Sequence, residues 1–204
     1  MSGTGRPASE RLDHLAALLS SQVRAEVLVH AVTRADTGHS LTELAHGLGL
    51  AISSVQHEAY KLQDLGLFSL KREGASRRYS LRLEEPVVQA LRELVVATVG
   101  APRVVEMALT DLPGLAAGSL LGAIPPRQGE TALVLIGDLE LETVEQAHWR
   151  ASWLLDAPAE AVELAFFRPA DWLARRDAGH PLVRRLLDLP VRAAFGDVRV
   201  DEQP

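Results

Sequence analysis

The chain has 204 residues, 47% hydrophobic and 24% charged, with 15 Gly, 11 Pro and no Cys. That balance is ordinary for a folded protein and excludes collagen-like, disordered and disulfide-framework classes. Without Cys there is no thiol nucleophile, thiolate metal site or redox motif. Residues 1–100 carry 11 basic and 11 acidic side chains, and residues 101–204 carry 10 and 16, so the net charge of −6 resides in the second half.

At about 100–200 residues per domain, the length fits one large or two small domains, and the charge asymmetry favours two with different partners. Residues 1–13 are polar and are expected to be a disordered N-terminus. The apolar run Leu15 to Leu19 is too short for a secretory signal. No apolar stretch reaches the roughly 18 residues of a membrane span, so a soluble, cytoplasmic protein with no membrane partner is expected. Lys61 and Lys71 are the only lysines, leaving 19 Arg among 21 basic residues, a usage that matches a GC-rich bacterial genome.

From Ser21, the stripe Val23, Val27, Leu28 and Val32 predicts an amphipathic helix, broken at Asp36-Thr37-Gly38. Thr42 is the expected N-cap of a short helix that buries Leu44, Ala45 and Leu48 and closes at Gly49. A third helix is expected from Ser53 to Leu65, burying Val55, Ala59, Leu62 and Leu65 and stopping at Gly66. Two short helices joined by a tight Gly-containing turn form a helix-turn-helix unit. Strand-like runs 67–70 and 78–81 then flank the polar turn Lys71 to Arg77, which predicts a hairpin with a basic tip. Pro86 opens a further helix, Val87 to Val99.

The order Leu44-Ala45-x-x-Leu48-Gly49-Leu50, Ser53 to Leu62, Asp64-Leu65-Gly66-Leu67, then Arg72-x-Gly74 to Arg78-Tyr79 resembles a bacterial ArsR-like winged helix-turn-helix domain over residues 14–85. The resemblance implies that the third helix enters the DNA major groove and the wing touches the backbone or minor groove. The expected contacts on that helix are Ser53, Ser54, Gln56, His57, Tyr60 and Lys61, since Gln pairs with adenine and His or Lys reaches phosphate or guanine. On the wing they are Lys71, Arg72, Arg77 and Arg78, opposed only by Glu73. Ala51 stands where the family usually caps the third helix with Ser or Thr, so Ser53 is the expected substitute cap. The neutral balance of this half favours a homodimer, which doubles the phosphate contacts and suits a two-fold operator.

After the short linker Gly100-Ala101-Pro102, strands are expected at 115–117, 131–136, 163–167 and 192–195. Helices are expected at 104–109, at 141–155, and at 170–189 with a break at Gly179-His180-Pro181. Strands alternating with helices mean an α/β unit. The fold class is therefore two-domain: an N-terminal α+β winged helix over 14–100 and a C-terminal α/β domain over 101–204.

Gly118-Ser119, followed by Gly129-Glu130-Thr131-Ala132 to Gly137, is similar to the minimal nucleotidyltransferase domain, as are Glu163 to Phe167, Trp172-Leu173 and Gly179-His180-Pro181. That likeness implies a Gly-Ser turn for nucleotide phosphates and an acidic pair on the next strand for magnesium. Such chemistry needs two carboxylates on one strand face, at i and i+2. Glu130 keeps the first, Ala132 has lost the second, and Gly122-Ala123 replace the usual Arg-Gly. Gly118, Ser119, Glu130 and Glu163 are accordingly expected to be vestiges of a nucleotide and metal site.

The seven His show no ligand spacing, so neither a metal nor a cofactor is expected. Trp149, Trp153 and Trp172 are assigned to core or interface. The reading is a homodimeric DNA-binding transcriptional regulator, not an enzyme, whose second domain serves dimerisation or the response to a small-molecule or protein effector. The alternatives are a nucleotidyltransferase using Glu130 and Glu163, and an antitoxin-like protein that binds a partner.

Overall fold

A computed structural model describes residues 8–74 and 76–196. The chain divides into two compact units, Met1–Gly100 and Ala101–Pro204. Each has its own apolar core and its own sheet.

The first unit contains α1 (Ala8–Leu19), α2 (Gln22–Thr33), α3 (Leu41–Leu48), α4 (Ile52–Asp64), the hairpin β1 (Phe68–Glu73) and β2 (Ser76–Leu81), and α5 (Pro86–Val99). Residues 8–13, expected to be disordered, belong to α1; residues 1–7 lie outside the described set. Leu15 is fully buried, which ties this helix to the core despite its polar beginning. The core is aliphatic, with Val27, Leu28, Leu44, Val55, Ala59, Leu62, Val88 and Val95 closing around Tyr79 and Phe68. Three helices followed by a two-stranded hairpin give a winged helix-turn-helix. His39 adds a single bridge to the free edge of β2 by exchanging both backbone hydrogen bonds with Tyr79.

Local chemistry sets the helix ends. Ser40, not Thr42, caps α3: its hydroxyl accepts from the Glu43 N–H, and the Glu43 carboxylate accepts from the Ser40 N–H. Both hydroxyls precede the apolar stripe, but only Ser40 has Glu at the third helical position, which completes a capping box. Gly49 ends α3 in the left-handed conformation, φ 66°. Leu65, expected in the core, is 68% exposed because the helix has already ended at Asp64.

The second unit contains α6 (Ala101–Leu109), β3 (Leu115–Gly122), β4 (Thr131–Gly137), α7 (Leu141–Leu154), β5 (Glu163–Phe167), α8 (Pro169–Asp177), α9 (Pro181–Asp188) and β6 (Val191–Phe195). The expected three-residue linker reduces to Gly100, at φ 100°, since Ala101 and Pro102 already form the first turn of α6. The four strands form one mixed sheet in the order β5-β4-β3-β6, with β4 and β5 parallel and the other pairs antiparallel. One face packs on Trp172 of α8 and Val183 and Leu186 of α9. The other is covered by α6 and α7. Burial on both faces explains why Thr131–Gly137 reads as a continuous apolar run rather than an alternating one.

β3 is longer than its expected three residues and runs through Gly118-Ser119. Gly118 is opposite Phe195 in the β3–β6 ladder, and a Cβ added there would lie 2.3 Å from the Phe195 ring. The missing side chain makes room for an aromatic ring, and this is the role the fold assigns to it. Gly118→Val should destabilise the second unit by about 1–3 kcal/mol through overpacking. In a Phe195→Ala background the same change should cost much less. Denaturant unfolding of the four variants in a cycle checks this.

Candidate nucleic-acid interface

α4 presents two faces because its apolar residues recur every three or four positions. Val55, Ala59 and Leu62 point into the core, and so does Glu58, whose side chain is only 8% exposed. A buried carboxylate needs a partner. Arg24 of α2 supplies it, Nε to Oε2 at 2.8 Å, while its Nη1 donates to the Leu19 carbonyl at the end of α1. Lys61 approaches the other Glu58 oxygen at 3.5 Å. Burial alone would raise the Glu58 pKa, but the Arg24 hydrogen bond and charge, helped by Lys61, outweigh it and hold the carboxyl below its ordinary value.

The opposite face carries the residues expected to meet DNA. Ser53, Ser54, His57 and Tyr60 are exposed, and Gln56 and Lys61 are half-buried. All six therefore sit on the one helix. Gln56 donates to the Tyr60 hydroxyl at 2.9 Å, which fixes the direction of its amide. Ser53 does not cap the helix. α4 begins at Ile52 with Ala51 at the cap position and no side-chain cap, leaving its first amide groups open to an anion.

The hairpin differs from expectation at its tip. Its ladder continues to Glu73 and Ser76, so Lys71, Arg72, Arg77 and Arg78 are strand residues rather than turn residues. Arg72 lies directly across from Arg77, and Lys71 across from Arg78. Like charges in opposed positions are unfavourable unless something neutralises them. For Arg78 the protein does so itself: its guanidinium pairs with Glu43 at 2.9 Å and Glu73 at 2.8 Å, and donates to the Gly38 carbonyl. Glu43 is held below its ordinary pKa mainly by the Ser40 backbone hydrogen bond, which with the Arg78 charge overcomes its desolvation. Arg78 thus anchors the wing to the start of α3, a structural role in addition to the phosphate contact expected of it. Lys71, Arg72 and Arg77 are exposed, with no ion pair among the described residues.

The vestigial set in the second unit is also rearranged. Gly118 and Ser119 lie mid-strand, hydrogen-bonded to strands on both sides, so neither forms a phosphate turn. Glu130 and Glu163 do come together, on one guanidinium: Arg185 of α9 reaches Glu130 with Nη1 and Glu163 with Nη2, both at 2.5 Å. The Glu163 hydrogen bond, with the charge of both carboxylates, raises the Arg185 pKa and outweighs the opposing desolvation. A magnesium ion does not fit this arrangement. The two carboxylates already hold a cation, and Ala132, fully buried beside Glu163 in the ladder, offers no third. Among the described residues no group of three His, Asp or Glu is placed to hold a metal ion. Nor is any single helix there long and apolar enough to cross a membrane.

Glu58, Arg24, Glu43 and Arg185 are the functional-site residues that spacing does not reveal. Glu58 carries one signal, a charge on the apolar face of α4. Its partner stands 34 residues earlier, beyond any local pattern.

Glu58→Gln should lower the stability of the first unit by about 1–3 kcal/mol at pH 7, because Arg24 loses its buried counter-charge. A depressed carboxyl pKa contributes stability that is complete above the ordinary carboxylate value, about 4.3, and is lost as pH falls through the folded value. The gap between wild type and variant should therefore close in acid. Urea unfolding at pH 7 and near pH 3.5 checks both arms.

A scan against protein-family models finds no match, and a search of curated proteins finds no relative. Among solved structures, the chain is similar to reduced HlyU from Vibrio cholerae, at 24% identity and TM-score 0.33, over 44% of this chain and 88% of that one. It is also similar to the homodimeric winged helix-turn-helix DNA-binding domain (fragment 1–100) Mb0332 from Mycobacterium bovis, described as a possible ArsR-family transcriptional regulator, at 18% identity and TM-score 0.33, over 48% of this chain and 89% of that one.

Proposed function

We propose that the first unit binds double-stranded DNA and that the chain acts as a homodimeric transcriptional regulator. The observation that carries this reading is the hairpin tip, where Arg72 and Arg77 oppose each other and Lys71 stands beside them. A protein gains nothing from holding like charges in register unless an anion arrives, and the phosphate backbone supplies one at regular spacing. α4 supplies the complementary half: a polar face of Ser53, Ser54, Gln56, His57, Tyr60 and Lys61 on a helix whose rotation is fixed from beneath. Gln56 and His57 read bases, while Lys61 and the serines position the helix on the backbone. Few phosphates are neutralised by one copy, so two copies on a two-fold site give the working affinity.

The second unit is read as a degenerate nucleotidyltransferase-like domain serving dimerisation or ligand response. Arg185 on Glu130 and Glu163 supports this, because it puts an internal cation where such an enzyme would hold a metal. No reaction is proposed for it.

Fluorescence anisotropy of the protein on its own upstream DNA, against a scrambled duplex at several salt concentrations, tests the regulator reading. Preferential binding with a steep salt dependence is expected; no salt-sensitive binding to either duplex overturns it. Arg72→Ala with Arg77→Ala should weaken both duplexes alike and reduce the salt slope by about 2. Gln56→Ala should instead erode the preference between them. Arg78→Ala should act mainly on stability, through Glu43 and Glu73, and leave the slope nearly unchanged.

A further inference from the structure

The second unit holds a pocket of about 220 Å³ between its sheet and the α8–α9 pair. Its walls are Leu121 and Val134 from the sheet and Leu186 and Leu189 from α9 and its exit, with no charged side chain contributing. Two groups break the apolar lining. Ser119 sits mid-strand, is 3% exposed and lines the pocket. Trp172 is equally buried, and its indole Nε1–H meets no acceptor.

Buried polar groups in a folded protein are almost always hydrogen-bonded, and one left unmet is costly. Phe at 172 would fill the same place without that cost. A buried indole donor with no acceptor, on the wall of a pocket that Ser119 also lines, marks the place where a ligand's polar atom belongs. An apolar cavity of about 150 Å³ already admits benzene, so this one has room for a ring with a small substituent, about nine non-hydrogen atoms. A phosphate or carboxylate finds no counter-charge there, since the Arg185 guanidinium is taken up by Glu130 and Glu163.

We propose that this pocket binds a neutral monocyclic aromatic ligand carrying one carbonyl or hydroxyl oxygen, which accepts from Trp172 Nε1–H and Ser119 Oγ–H. The ring packs on the Trp172 indole and the leucines. The site belongs to the second unit alone and is independent of DNA binding by the first.

Calorimetric titration of the full chain, without DNA, distinguishes the contributions using three probes: acetophenone, ethylbenzene and benzoate. Acetophenone should bind saturably, ethylbenzene about 3–10-fold more weakly for want of the oxygen, and benzoate not at all. Trp172→Phe keeps the ring but removes the donor, and should abolish most of the difference between the first two. Ala194→Leu, at an exposed position on the rim, should weaken both without unfolding the protein. Absence of saturable acetophenone binding overturns the proposal, as does binding unchanged in Ala194→Leu or benzoate binding as tight as that of acetophenone. Loss of probe binding with DNA binding intact would sink this site alone; the reverse would sink the regulator reading alone.

Discussion

The surface that the first unit offers depends on a carboxylate hidden beneath it. Glu58 occupies a core position on α4, and an apolar residue there would pack at least as well. What the ion pair adds is direction. The fork of Arg24 joins Glu58 to α2 and to the end of α1, so α4 can neither roll about its axis nor slide without breaking charged hydrogen bonds. The placement of Ser53, Ser54, His57 and Tyr60 on the outer face follows from that restraint.

A second polar chain does the same for the hairpin. Glu43 closes the capping box of α3 and also receives Arg78 from β2, so one carboxylate caps the start of a helix and moors the wing. Arg185 in the second unit follows the same logic by joining α9 to the beginnings of β4 and β5 through Glu130 and Glu163. In both units, charged side chains that look available for a ligand are used internally. The cations that remain on the hairpin, Lys71, Arg72 and Arg77, are the more informative for it.

Much of this was legible from residue pattern, for definite reasons. The third helix announces itself through Val55, Ala59 and Leu62, and its polar face is the complement of that stripe. Gly49 marks the end of α3 because it can adopt a positive φ at little cost. What escaped was set by distant partners. Gly118-Ser119 looks like a turn until Phe195, on a strand 77 residues later, is seen to lie across the glycine. Arg78 looks equivalent to Arg77 until strand alternation turns one toward Glu43 and leaves the other in solvent. The capping of α3 was missed for a local reason, since Ser40 and Thr42 are both good caps and only Glu43 decides between them.

The opposed arginines of the hairpin also bear on how ionic strength acts. Added electrolyte screens the repulsion between Arg72 and Arg77, and so tightens the free tip. The same electrolyte competes with any polyanion that the tip would clasp. Rigidity of the unbound wing and grip on a charged partner must therefore move in opposite directions as salt rises. Dilute buffer leaves the hairpin loosest where it would hold hardest, and binding under those conditions carries the largest ordering cost.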